Sequence, residues 1–427
     1  MVMRIKRSGK IGILIYKYPL ANSPSLINAG RALAEAGFMV DFFCYQSYMG
    51  DLKFNDSNIR VFCLEKHGQH MRVNSFLKNI IPDQLKQPLG EIYYGTKGPR
   101  LFHNRRMQVV ENENLNSVRI AAASIEDIIR DDQYRCFIGA EPGGLMIAGE
   151  LGGRYKAPLI YYNLELGMWA EGEGDFLWKV FNKYERLLNQ QAVATITQDN
   201  ERAKILSGRN GIPLASILTV PVCADGPKYV RKTDWLRKKF NLSTDDTIIL
   251  YAGYITDWAM CIEMAKDAID WPDGRVLVLH SHSYQEEDYL RKLRKFIGNK
   301  VKLSLESVSY EDLPELIASA DIGIALYKDL GKNFTLTGSA SGKIAHYLKC
   351  GLPVISNNYP SIKEVLEGYD CGVCIESPAE MNAAIDKIQN KYKEMHENAY
   401  RCYEDRYMFS RQFAKVIDFI EKIDAGH

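Results

Sequence analysis

Apolar residues along this chain gather in short runs, each bounded by turn residues and followed by a stretch with helical spacing. The first run, Ile11–Tyr16, is rich in isoleucine and is stopped by Pro19, which predicts a strand. Asn22, Ser23 and Ser25 then offer N-caps for a helix to about Ala36. Gly37 closes it, and Met39–Tyr45 and Ile59–Leu64 read as the next strands. A helix near Val118–Arg130 leads into strand Cys136–Ala140, helix Gly143–Gly152, strand Pro158–Tyr162, helix Phe176–Gln190, strand Ala192–Thr197, helix Asn200–Ser207 and strand Ser216–Pro221. Residues 222–245 read as a linker with one short basic helix. The alternation then restarts, with strands at Ile248–Ala252, Val276–His280, Val301–Ser304, Ile322–Tyr327, Pro353–Ser356 and Gly372–Ile375, and closing helices near Met381–Ala399 and Ser410–Ile423.

This rhythm predicts an α/β fold of two Rossmann-like, doubly wound domains facing a central cleft. The expected boundaries are 1–225, carrying an insertion at 66–116, then 226–408, and a helix at 409–427 that packs back on the first domain. Ligands of such sheets bind outside the carboxyl ends of the strands, so two in tandem place one site between them. In the insertion up to Arg106, the bases Lys66, Arg72, Lys78, Lys86, Lys97, Arg100, Arg105 and Arg106 face only Asp83 and Glu91 among acids, with aromatic and aliphatic residues interleaved. That composition fits a long solvated loop with one or two helices, and equally a peripheral contact with anionic lipid headgroups.

Bulk composition narrows the classes. A chain of 427 residues exceeds one ordinary core, and 46% hydrophobic with 25% charged residues is globular. A net charge of +1 supplies no global field for nucleic acid. Nine scattered cysteines make an odd count without a disulfide framework, which favours a reducing compartment. Cys371 and Cys374 have CxxC spacing but no companion ligands, and read as strand residues. No stretch reaches the ~18 apolar residues of a spanning helix. The expected location is cytoplasmic, with the inner membrane face as a docking surface.

The densest candidate chemistry lies in Asn333–Ile355. Thr335-Leu-Thr-Gly-Ser-Ala-Ser-Gly342 is small, polar and glycine-rich, and helical spacing follows from about Ser341 to Gly351. Such a helix start exposes backbone N–H groups and a positive dipole end, which suits a diphosphate. Gly338 and Gly342 would let a phosphate approach, and Ser339 and Ser341 would add hydroxyl donors. Lys343 opposes the dipole of its own helix, so a bound anion would account for it; a solvated surface lysine is the alternative. His346, one turn later, either donates to a ribose or phosphate oxygen or is packed. Glu165 ends a strand and would take a proton from an acceptor hydroxyl, or else serve as a cap or ion pair. Glu141 of Glu141-Pro-Gly-Gly144 and the loop Tyr18-Pro-Leu-Ala-Asn22 border the same edge. No GxGxxG follows Ile11–Tyr16 or Ile248–Ala252, against a dinucleotide site, and no metal cluster is expected.

The block Ser341-Gly-Lys-Ile-Ala-His-Tyr-Leu-Lys-Cys-Gly-Leu-Pro-Val-Ile355, with Pro360-Ser-Ile-Lys-Glu364 and Cys371-Gly-Val373 after it, resembles the donor-site region of GT-B glycosyltransferases, closest to family four. Tyr251-Ala-Gly-Tyr254 is similar to the family's first C-domain strand and glycine turn. Asp312-Leu-Pro-Glu-Leu316 with Ser319-Ala-Asp-Ile-Gly-Ile324 is similar to a later helix and strand. The resemblance covers most of the second half well and the first half loosely. It implies transfer of a sugar from a nucleotide-diphosphate sugar to a glycan, lipid-linked or small-molecule acceptor, without metal or cofactor. Gly253 and Tyr254 would lie near the phosphates, Ser339, Ala340 and Ser341 would bind them through backbone amides, Lys343 would stand beside them, and Val308 would lie near the base. Gly338 and His346 occupy the two positions of the family's Glu-x7-Glu pair, and Ile255-Thr-Asp-Trp-Ala259 lacks its bases. His280 and His282, after the second C-domain strand, would supply the missing cationic charge, or His282 is an ordinary loop residue. The implied catalytic set is Glu165, Lys343 and His346. A catalytically weak binding subunit and a non-hydrolysing sugar-nucleotide epimerase are the other readings.

Overall fold

A computed structural model describes residues 9–16, 20, 23–45, 52–64, 98–167, 176–281 and 286–423, with the side chains of 98–106 outside that description. His282, most of the loop 18–22 and the insertion up to residue 97 therefore lie outside the described residues. The first sheet has seven strands, ordered β3-β2-β1-β4-β5-β6-β7. They are β1 (Lys10–Ile15), β2 (Met39–Tyr45), β3 (Ile59–Leu64), β4 (Tyr134–Ala140), β5 (Leu159–Tyr162), β6 (Ala194–Thr197) and β7 (Ile217–Thr219). The second has six, ordered β10-β9-β8-β11-β12-β13. They are β8 (Thr247–Ala252), β9 (Arg275–His280), β10 (Val301–Ser304), β11 (Ile322–Ala325), β12 (Val354–Asn357) and β13 (Gly372–Ile375). Every pairing is parallel. Strand order reverses beside β1 and beside β8, so each sheet is doubly wound, with an apolar cluster on each face.

Two elements differ from the sequence expectation. The helix expected from Val118 starts at Gly98 and runs to Ile129, so the second part of the expected insertion is continuous helix. Its polar turns at Asn112, Asn114 and Asn116 lack an apolar stripe, and partners outside the segment hold them. Glu111 accepts from Lys183 Nζ at 2.6 Å and from the Tyr184 hydroxyl at 2.8 Å, both on helix Phe176–Asn189. The helix expected over Met381–Ala399 is two, Met381–Asn390 and Tyr392–Cys402, because Lys391 leaves helical geometry at φ −127. Among the described residues no helix is long and apolar enough to cross a membrane.

The lobes are joined twice. Ala224 pairs with Met408, and the Tyr403 hydroxyl donates to the carbonyls of Gly226 (2.5 Å) and Ala224 (3.2 Å), so both crossing segments run side by side. Helix Phe409–Lys422 then buries Phe409, Phe413, Val416 and Ile420 in the first lobe's core with Leu26, Ile27 and Leu33. Arg135 clamps its end, donating to the carbonyls of Ile420 (2.7 Å), Glu421 (2.5 Å) and Ile423 (2.9 Å). A cation at a helix carboxyl end satisfies both the dipole and the orphan carbonyls.

Helix Gly342–Lys349 is fixed against the second sheet by Tyr347. Its ring lies where a Gly323 Cβ would be 2.4 Å away, so β11 carries glycine there. The Tyr347 hydroxyl accepts from Ala252 N–H (2.8 Å) and donates to Ile324 C=O (3.1 Å), which sets the height of the helix over the ends of β8 and β11.

Replacing Arg135 by Met is expected to cost the closing helix about 2 kcal/mol. Hydrogen exchange should then be faster across 409–422 and unchanged in β8–β13; uniform exchange in wild type and variant would sink this account.

Candidate functional site

The carboxyl ends of both sheets meet between the lobes. The second lobe brings Gly253 and Tyr254 after β8, Tyr327 after β11 and the amino end of helix Gly342–Lys349. Ser341 is the N-cap, with its Oγ accepting from Ile344 N–H at 3.3 Å and sharing a 2.5 Å hydrogen bond with the Tyr327 hydroxyl. The amides of Gly342 and Lys343 have no partner within the helix by position. Val222, on the interlobe crossing, donates its N–H to Ser339 C=O at 2.8 Å, and its methyl lies 3.6 Å from where a Gly342 Cβ would stand. The helix end thus faces the seam between the lobes.

Four loop residues are engaged by the protein itself. Gly338 does not open the backbone to a phosphate: a Cβ there would stand 2.0 Å from Ser361 C=O. Its N–H donates to Ser361 Oγ (3.3 Å) and its carbonyl accepts from the Tyr407 hydroxyl (2.6 Å). Ser339 is buried, with its carbonyl bound by Val222, and the Ser341 hydroxyl is spent on capping. Ala340, half-buried, donates its N–H to Thr337 C=O at 3.0 Å. In the first helical turn Ile344 N–H is taken by the cap, and the Gly342 and Lys343 amides have no hydrogen-bond partner among the described residues.

Lys343 sits among rings. Its Nζ is 4.6 Å from the Tyr327 ring centroid, 5.4 Å from Trp258 and 5.5 Å from Tyr251. No ion pair among the described residues includes it. Gly253 lies beneath its stem, where a Cβ would be 3.1 Å from Lys343 Cδ. Tyr254 is exposed, its carbonyl holding the Tyr251 hydroxyl at 2.7 Å. Val308 is half-buried on the turn after β10.

The first lobe contributes Glu141 after β4, residues 163–166 after β5, and Gln198 and Arg202 after β6. The structure puts Glu165 against the second lobe, its Oε2 accepting from Asn333 Nδ2 at 2.5 Å. Asn333 Oδ1 accepts from Leu166 N–H (3.3 Å) and Arg202 Nη1 (3.0 Å). Arg202, fully buried, also donates to the carbonyls of Asn333 (3.0 Å) and Leu336 (3.1 Å), fixing both ends of the turn that precedes the 335–342 loop. Sequence reasoning missed Asn333, Arg202, Trp258 and Tyr327; aromatic residues after β8 and β11 were the only available signal.

Glu141 is the strained member of this edge, with φ +57 at the strand-to-helix turn. Its Oε1 accepts from Leu164 N–H (2.6 Å) and Glu165 N–H (3.0 Å). The adjacent glycines admit protein: Cβ atoms on Gly143 and Gly144 would stand 2.7 Å from the Tyr16 ring and 2.2 Å from Leu14 C=O. Burial pushes the Glu141 carboxyl up to about 8, with the Glu165 charge adding to it.

Residues 301–409 match the family model of the glucosyltransferase 3-like, C-terminal domain. A chitobiosyldiphosphodolichol beta-mannosyltransferase of Candida albicans is 24% identical over 230 residues, 49% of this chain and 48% of that protein. The chain spans about half the length, or less, of the curated relatives it matches. Sucrose-phosphate synthase from Thermosynechococcus elongatus superposes with a TM-score of 0.69 at 14% identity, covering 97% of this chain and 99% of that one. Anabaena HepE in complex with UDP and glucose gives 0.65 at 11%, covering 97% and 100%. The fold is that of the GT-B glycosyltransferases. The matches do not single out family four.

Within this GT-B frame, His346 is not a cation aimed at a leaving group. His346 is buried, and burial, aided by the nearby Lys349 charge, lowers it to about 3, so it is neutral at physiological pH. Its ring meets Tyr310 edge-on at 5.6 Å, the Tyr310 hydroxyl accepts from Asn28 of the first lobe at 3.3 Å, and His346 Nδ1 has no hydrogen-bond partner among the described residues. His280 is buried in the sheet, with Nδ1 3.0 Å from Ser304 Oγ and Trp235 edge-on at 6.2 Å. Among the described residues no group of three or more His, Cys, Asp or Glu side chains could hold a metal ion.

The raised Glu141 carboxyl fixes a sign. The native state keeps a proton that the unfolded chain has lost, so stability falls as pH rises from the ordinary carboxyl range through about 8. Glu141→Gln retains an acceptor for Leu164 and Glu165. It should raise the melting temperature at pH 8–9, by about 1 to 2 kcal/mol in stability, and change it little at pH 5. An equal shift at both pH values would refute the burial argument.

Proposed function

We propose that this protein is an enzyme that transfers a sugar from a nucleoside-diphosphate sugar, bound at the amino end of helix Gly342–Lys349, to an acceptor presented by the first lobe. The carrying observation is a Lys343 ammonium with no ion pair among the described residues, in the first turn of that helix beside amides that have no partner among them, within a GT-B fold. When the bond from the sugar's anomeric carbon to the diphosphate breaks, negative charge grows on the leaving group. Lys343 and the helix end stabilise it. Glu165, across the seam with its Oε2 held by Asn333, takes the acceptor hydroxyl's proton in this reading through its other carboxylate oxygen. His346 acts as a neutral hydrogen-bonding group at the ribose side.

Sugar-nucleotide donors are supported by HepE, solved with UDP and glucose, and by the mannosyltransferase names of the curated relatives. The latter also favour a lipid-linked glycan acceptor, met on the inner membrane face by the basic insertion. A second reading, a binding subunit without turnover, is favoured by one observation: a neutral histidine and a packed glycine stand where the family resemblance implies a carboxylate pair.

Melting temperature in the presence of UDP, GDP, ADP and CMP identifies the donor class, because a ligand of the folded state raises it. Lys343→Met should then weaken the binding nucleoside diphosphate about 30-fold in calorimetry, the worth of one charge-assisted hydrogen bond. Unaltered affinity in the variant would remove Lys343 from the site. Binding with no release of nucleoside diphosphate from any donor sugar would favour the second reading.

A further inference from the structure

We propose that Trp258, with Tyr251 and Tyr327, forms an aromatic box that holds the Lys343 ammonium ready for the diphosphate, so that Trp258 is a positioning residue acting through Lys343. This rests on the donor site proposed above and concerns how one lysine serves it.

The three ring centroids lie 4.6, 5.4 and 5.5 Å from Lys343 Nζ, within the range where a ring's negative face attracts a cation. The Trp258 and Tyr327 rings are within 3° of parallel, 6.2 Å apart, and form one wall. Tyr251, fully buried, forms another, and Gly253 leaves room for the lysine stem to pass over it. Trp258 is itself fixed: its carbonyl accepts from Lys328 N–H at 2.8 Å, and Phe334 meets its ring edge-on at 5.7 Å.

The box differs from a salt bridge in one decisive respect. A carboxylate that immobilised Lys343 would neutralise it and would have to be displaced by the incoming diphosphate. Ring faces orient the ammonium while leaving its full charge and its N–H groups available. A lysine stem held in advance loses less rotamer freedom on binding. Trp258 lies in Ile255–Ala259, a stretch with no basic residue, so its ring secures the cation supplied by Lys343 rather than adding another. Tyr327 also bonds the Ser341 cap, which ties the box to the helix end at which the phosphates are proposed to bind.

The test is a double-mutant cycle by calorimetry, with UDP, GDP and ADP and their monophosphates as probes. The proteins are wild type, Trp258→Met, Trp258→Phe, Lys343→Met and Trp258→Met/Lys343→Met. Methionine fills the space without a ring face, and Phe restores a ring. Trp258→Met should weaken the bound diphosphate about tenfold, with the monophosphate little affected, and Trp258→Phe should recover most of the loss. The double variant should bind no more weakly than Lys343→Met alone. Losses that add in the double variant, equal loss for mono- and diphosphate, or failure of Phe to rescue would each overturn the box while leaving the donor site standing. A wild type that binds none of the three diphosphates would overturn the donor site and the box with it.

Discussion

The unsatisfied amides at the amino end of helix Gly342–Lys349 are the constraint around which this molecule is arranged. A helix end with open N–H groups binds an anion only if it is held still and kept clear of protein carboxylates. Here the holding is done from behind and from the side. Tyr347 joins the helix to the ends of β8 and β11, and the Ser341–Tyr327 hydrogen bond fixes the cap. The glycines nearby answer to this packing: Gly323 yields to the Tyr347 ring and Gly338 to the backbone of helix Pro360–Leu366.

The same constraint governs the seam between the lobes. Asn333, two residues before the 335–342 loop, is held against the first lobe by Arg202, Leu166 and Glu165. A fully buried guanidinium is costly to desolvate, and Arg202 is compensated by four acceptors: Gln198 Oε1, Asn333 Oδ1 and the carbonyls of Asn333 and Leu336. Such a group tolerates little displacement, so the 335–342 loop inherits the position of the first lobe. On the far side, Arg31 reaches Asp225 at 3.4 Å and Glu311 at 2.9 Å in partly exposed pairs that add little energy but fix orientation.

Much of the fold was legible because strands buried in parallel sheets are compact apolar runs and their helices are amphipathic. The Gly-x-Pro-Val block marked the helix end correctly because Ser341, Gly342 and Gly351, with φ +70 at the last, are local signals. What failed was everything decided by distant partners. Nothing in the sequence around Gly338 says that Ser361 will lie against it. The spacing of Lys343 and His346 puts them on one helix, but only the packing shows that one stays among rings with no ion pair among the described residues while the other is buried neutral against Tyr310. Asn333 and Arg202 are 131 positions apart, and their contact was invisible to periodicity. Helix Gly98–Ile129 was cut short because its polar turns are stabilised by Lys183 and Tyr184, not by a stripe of its own.

These contacts also bear on the absence of the carboxylate pair expected from the family resemblance. Removing two negative charges from the surroundings of an anionic ligand lowers the cationic charge needed to hold it. The chain has in parallel no basic residue in Ile255–Ala259, and His346 carries no charge. The two losses offset one another: with neither carboxylates nor extra bases, the proposed donor site would rely on Lys343 and the helix end. A single cation is then sufficient only if it is not drawn off by a protein anion. Three aromatic faces lie within 5.5 Å of the Lys343 ammonium, and rings, unlike a carboxylate, would leave its charge for the proposed ligand.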